Sequence, residues 1–144
     1  MPLRSPAELA REMFAAFRAV SPLIERYTAE VCPGCAHVCC IDRHGTPEPL
    51  DLAFLDALGE NPRPEPPLAD DTLPCRHLGE RGCTVERWRR PYRCTWYFCP
   101  PLLDQMPRAA GGRAYRDLVD ALGALQRLRA ELAGLLGEGA CYSP

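Results

Sequence analysis

Eight of the nine cysteines fall between Cys32 and Cys99, in two groups with short internal spacings, and this clustering commits the middle of the chain to sulfur chemistry. The first group reads Cys32-Pro33-Gly34-Cys35-Ala36-His37-Val38-Cys39-Cys40, and the second comprises Cys75, Cys83, Cys94 and Cys99. The ninth, Cys141, stands alone near the end. Thiolates gathered from two distant segments suit a soft, thiophilic metal. A disulfide framework is the competing use of the same residues, and the redox compartment decides between them. Residues 1–31 interleave Arg4, Glu8, Arg11, Glu12, Arg18, Glu25 and Arg26 with apolar positions, leaving no uninterrupted apolar core of the kind a secretory signal needs. The expectation is therefore a cytoplasmic chain whose reduced cysteines bind metal.

A length of 144 residues suits one domain with a modest core. The formal net charge of -2 gives no global case for nucleic acid or an anionic membrane as partner, and no apolar run has the length of a membrane span. All 17 basic residues are arginine, which supplies planar, permanently charged donors.

Ser5-Pro6-Ala7-Glu8 predicts a capping-box helix start, after which Leu9, Ala10, Met13, Phe14, Phe17 and Val20 share one face. Ser21-Pro22 predicts a restart or a kink, followed by an apolar stripe of Leu23, Ile24, Tyr27 and Val31 up to the first cysteine. Asp51 to Leu58 reads as a short helix stopped by Gly59, and the proline-rich stretch from Asn61 to Pro74 as the loop joining the cysteine groups. From Cys75 to Cys99 periodicity disappears, as expected where metal coordination replaces an apolar core. Pro100, Pro101 and Pro107 predict a turn region. A last helix follows, with a wide apolar face of Tyr115, Leu118, Val119, Leu122, Leu125, Leu128, Leu132, Leu135 and Leu136 set to pack on the N-terminal helix. The expected fold is mainly α: a small, metal-organised single domain spanning 1–144. It divides into an N-terminal helical segment 1–31, a loop-rich cysteine region 32–101 and a C-terminal helix 112–137.

The Cys32-x-x-Cys35 turn, with Pro33 and Gly34 inside it, holds two thiolates close and aims backbone amides at the sulfurs, as zinc knuckles and iron-sulfur loops both do. Cys39 and Cys40 have diverging side chains, so one of them serves a second site or bridges within a cluster. The eight cysteines divide into two four-thiolate sets, or into one set plus other thiols. His37 and His77 are candidate replacement ligands or proton carriers, and His44 reads as surface loop. Arg76, Arg81, Arg87, Arg89, Arg90 and Arg93 offer countercharge, or else a solvated surface paired with Glu80 and Glu86. Trp88, Tyr92, Trp96, Tyr97 and Phe98 interleave with them and are expected to screen the metal from water. Hydrolase, nucleotide and zinc-protease patterns such as GxSxG, GxGxxG and HExxH are missing from the sequence.

The CxxCxxxCC run from Cys32 to Cys40, then Pro74-Cys75-Arg76-His77-Leu78, Gly82-Cys83-Thr84-Val85 and Arg90-Pro91-Tyr92-Arg93-Cys94, closing at Cys99, resembles the YkgJ-like cysteine-cluster family. That family is described as a zinc- or iron-chelating domain, and flagellin lysine N-methylases carry a similar cluster. The expected ligands are Cys32, Cys35, Cys39, Cys40, Cys75, Cys83, Cys94 and Cys99, and the expected cofactor is an iron-sulfur cluster, with zinc as the alternative. Two roles follow. One is redox or group-transfer chemistry with a protein partner; the other is a structural zinc module presenting Arg76 to Arg93 to a protein or nucleic-acid partner.

Overall fold

The computed structural model describes residues 4–34, 40–60, 69–80, 82–106 and 111–137. Helix α1, Pro6–Val31, starts on the expected box: Ser5 Oγ accepts the Glu8 amide at 3.1 Å and Glu8 accepts the Ser5 amide at 2.9 Å. It neither stops nor restarts at Pro22, which lies inside one continuous helix. The cost of the lost N–H there is borne by tertiary packing, because the flanking Val20 and Ile24 are buried.

Ala10, Met13, Phe17, Val20, Ile24 and Tyr27 are all buried, at alternating spacings of three and four, the pattern of a coiled-coil seam. Helix α5, Gly111–Leu135, meets that seam with Leu118, Leu125 and Leu132, each at most 1% exposed. The two run antiparallel, since Arg4 before α1 bonds Glu131 near the end of α5 at 2.6 Å. Tyr115, Leu122 and Leu128 flank the row of Leu118, Leu125 and Leu132 and are partly buried against the same core, whereas Val119, Leu135 and Leu136 are exposed.

Helix α2, Pro49–Leu58, begins two residues before the expected Asp51 and ends at Gly59, whose φ of 89° places it in the left-handed region. Leu50, Phe54 and Leu55 pack it into the same core, with the Phe54 ring 5.4 Å from that of Phe17. The cysteine segment consists of short pieces. There are 3₁₀ turns at Cys32–Gly34, Asp42–Gly45 and Arg87–Arg89, and a hairpin of β1, Leu78–Gly79, with β2, Gly82–Cys83. Two short helices follow, α3, Arg93–Trp96, and α4, Pro100–Gln105. The expected turn at Pro100-Pro101 is thus a helix start, where a missing amide N–H costs nothing; Pro107 lies outside the described residues.

The protein is mainly helical, as expected, but its middle is not devoid of apolar core. Trp88, Leu102 and Met106 join the same buried cluster as α1 and α5, and Trp88 stands edge-on to Phe14 at 5.1 Å. No helix among the described residues is long and apolar enough to cross a membrane.

Candidate metal centre

Backbone pairing brings the two cysteine groups together. The Cys75 amide donates to the Cys40 carbonyl at 2.8 Å and the Asp42 amide to the Leu73 carbonyl at 2.9 Å, around an antiparallel bridge between Ile41 and Pro74. The Leu78 amide returns to the Cys75 carbonyl at 2.9 Å and opens β1, where Leu78 pairs with Cys83 across the hairpin. Cys83 is therefore delivered to the level of Cys75. The Val85 amide points at the Cys83 sulfur, 3.4 Å away, the N–H to sulfur contact that stabilises thiolates in metal loops. Cys94 sits in α3 with its sulfur 3.9 Å from the His44 carbonyl, and Cys99 precedes α4 and is buried.

All six described cysteines of the two groups are thiols. Cys32, Cys40, Cys75, Cys83, Cys94 and Cys99 line one cavity of about 160 Å³ between the end of α1, the Asp42–Gly45 turn and α3. One water needs roughly 10–15 Å³ on the same measure, so the space is about ten times larger than a single small particle requires. Among the described residues no group of three or more His, Cys, Asp or Glu side chains is arranged to hold a single metal ion. The thiols share a cavity and not one tight coordination shell. Cys35, His37 and Cys39 lie outside the described residues, as does Cys141.

Burial pushes the Cys94 thiol up to about 12, and the neighbouring Cys83, Cys40 and Cys75 push in the same direction while Arg90 opposes them. These three sulfurs are thus within electrostatic reach of Cys94, and a bound cation reverses the balance by favouring thiolate over thiol. Arg87 is buried to 4% side-chain exposure; it donates to Ser21 Oγ at 3.0 Å and to the Cys94 carbonyl at 3.2 Å. Burial and Arg90 bring its pKa down to about 10, against the pull of Glu25, Cys94 and Cys83. It stays charged at neutral pH.

The residues fit a thiolate-held metal group. Every sulfur donor is soft, and Gly45 leaves space where a side chain would intrude: a Cβ there would stand 2.9 Å from the Cys75 sulfur. Gly45, His44 and Asp42 are the contributors that sequence reasoning missed. His44 lines the cavity, its ring 6.3 Å from that of Tyr97, and is not merely surface loop. Asp42, 4% exposed, takes a bidentate pair from Arg76 at 3.1 Å and 3.1 Å. The available signal was position, since these residues fall within the five positions after Cys40 and end in a glycine.

The other expected groups separate. Tyr97 and Phe98 line the cavity, whereas Trp88 packs on Phe14 and Tyr92 lies under Arg129 at 4.2 Å. His77 lines a neighbouring cavity. Among the described residues Arg89 pairs with Glu60 at 3.0 Å, Arg90 lies 3.9 Å from Glu25, and Glu86 accepts the Trp88 indole N–H at 2.6 Å. Arg81 lies outside the described residues. Comparison with family models, curated proteins and solved structures finds no match to this chain. What the centre does must follow from its own residues.

Proposed function

We propose that this protein is a metal-binding cysteine-cluster protein whose thiols hold an iron-sulfur cluster; the resemblance to the YkgJ-like family implies a zinc- or iron-chelating domain, and the eight candidate thiolates with an adjacent pair favour the cluster. The observation that carries this reading is the convergence of all six described cysteines of the two groups on one cavity. Cys40, Cys75 and Cys83 lie close enough to raise the Cys94 thiol, and Cys32 and Cys99 share the cavity wall. Cys35 and Cys39 remain ligand candidates by their spacing. A cavity of about 160 Å³ favours a polynuclear cluster over a lone zinc ion, which is the alternative.

A cluster held there supplies one-electron transfer, for redox or group-transfer chemistry with a protein partner. The chain's own contribution is electrostatic and steric. Arg87 and Arg90 offset the negative charge of the thiolates, the Val85 amide supports the Cys83 sulfur, and Phe98 and the 42% exposed Tyr97 form part of the cavity wall. Of the arginines that a zinc module would present, Arg87 and Arg90 are largely buried, with side chains 4% and 12% exposed, and Arg89 and Arg93 are exposed.

Purification without oxygen, followed by metal and acid-labile sulfide analysis, tests the proposal. The expected result is brown protein containing iron and sulfide in equal amounts. Colourless protein with zinc establishes the alternative, and reconstituted protein with neither metal and its thiols paired as disulfides overturns both.

A further inference from the structure

A second cavity, of about 400 Å³, backs onto the first. Cys75, Cys83, Cys94, Gly45 and Arg90 line both, so the same cysteine residues form part of the wall of each. The rest of the second lining divides by chemistry. Leu52, Leu55 and Val85 give it an apolar side, while Arg76, Arg89 and His77 join Arg90 as donors. Asp42 is the carboxylate in the described lining, and its bidentate pair with Arg76 offsets its charge within the wall. Arg89 is anchored from outside the lining by Glu60 at 3.0 Å and by stacking 4.2 Å over Trp88. Arg90 is anchored by its Nε on the Val85 carbonyl at 2.7 Å. Beyond the Asp42–Arg76 pair, Arg89 and Arg90 bring two guanidiniums to the lining, each with a carboxylate outside it, Glu60 at 3.0 Å and Glu25 at 3.9 Å.

A space of this size falls in the range of small-molecule sites, where a mainly apolar wall and a few fixed charges set orientation and specificity. Guanidinium groups held in place by other contacts are preorganised for a planar or tetrahedral oxyanion. We propose that the second cavity binds a small organic oxyanion, a carboxylate or phosphate monoester on an apolar body, against the sulfur wall of the metal centre. This deepens the reading above and rests on it, because the anion would lie beside the ligand sulfurs and sense the centre directly.

The test uses the full chain, with metal content measured on the same sample. Benzoate, phenyl phosphate and the neutral benzyl alcohol are titrated by calorimetry, and the visible spectrum of the centre is followed in parallel. At least one of the two anions should bind saturably, tenfold or more tighter than benzyl alcohol, and shift the spectrum; which one binds separates the carboxylate from the phosphate source. Leu52→Trp fills the apolar side and Arg89→Gln removes an exposed guanidinium, and each should weaken the anion at least tenfold with metal content unchanged. If one variant fails to fold, the other still decides. Metal-loaded protein that binds neither anion better than benzyl alcohol, or variants that bind as the parent does, overturn the proposal and leave the metal centre standing. Protein without metal that still binds the anion overturns the centre instead, and protein with neither overturns both.

Discussion

The backbone amide of Cys75 donates to the carbonyl of Cys40 at 2.8 Å, tying together two cysteine groups separated by a long proline-rich connection. That bond and the adjacent Ile41–Pro74 bridge fix the spacing of the two sulfur-bearing residues through the main chain. Loop closure is then met by backbone and side-chain contacts before any metal contributes.

The Asp42–Arg76 pair sits beside this bridge and should share in holding it. Asp42→Ala leaves a guanidinium, 25% exposed, without its buried carboxylate. The expected cost is about 1–3 kcal/mol of stability. Urea unfolding of chelator-treated protein measures it, and a change within error of zero would show that the bridge holds without the pair.

Serine at Cys75 or Cys94 should lower metal content by half or more, because each loss opens a ligand position that a hydroxyl fills poorly for a soft site. Cys141→Ser, far from both groups in sequence, should leave the stoichiometry unchanged. Metal analysis of the purified variants decides. Loss at Cys141 as severe as at Cys94 would require a different division of the ligands.

Gly45→Ala tests the space beside Cys75 without removing any sulfur. Its Cβ would stand 2.9 Å from the Cys75 sulfur, so either that side chain or the Asp42–Gly45 turn must shift. Overpacking of this kind costs about 1–3 kcal/mol. Metal retention against a graded chelator should fall in the variant, and unchanged retention would mean that the Cys75 sulfur is not held at this position when loaded.

Helices α1 and α5 were legible because a long amphipathic period and a capping box are local signals, written in Ser5, Glu8 and the spacing of Met13, Val20 and Tyr27. The ligand candidates were legible as residue types. Their meeting point was not, because the bond from Cys75 to Cys40 and the approach of Cys94 to His44 join segments with no common periodicity. Proline misled at Pro100, which opened a helix because the unpaired first turn removes the penalty, and of the two outcomes expected at Pro22 the restart did not occur. On the α5 face Val119, Leu135 and Leu136 were the exceptions, exposed where Leu118, Leu125 and Leu132 are buried and Tyr115, Leu122 and Leu128 partly so.

Metal removal should loosen the centre selectively. The amides of Cys75, Leu78, Thr84 and Val85 depend on short turns and a two-residue hairpin, whereas α1 and α5 are held by a continuous apolar seam. Trp88 and Leu102 anchor the later part of the cysteine segment to that seam, so the loss should centre on residues 75–85. Hydrogen exchange with and without chelator resolves the pattern. Equal protection of these amides in both states would show that packing alone maintains the hairpin.

Removing the metal should also make stability fall with rising pH in the alkaline range, and Cys94 sets the sign. Its thiol is held up to about 12 in the folded protein, chiefly by burial and then by Cys83, Cys40 and Cys75. An unfolded cysteine ionises near about 8.5. Below that value both states keep the proton and the contribution is complete; between it and the folded value only the unfolded chain gains by ionising, so the contribution is lost as pH rises. The slope from this one group is at most about 1.4 kcal/mol per pH unit. Cys94→Ser should flatten it in chelator-treated protein, read from urea midpoints across the alkaline range. In loaded protein the dependence reverses, because binding expels the thiol proton and affinity for metal increases as pH rises. A Cys94→Ser variant with the parent's full alkaline slope would assign that titration to the other thiols.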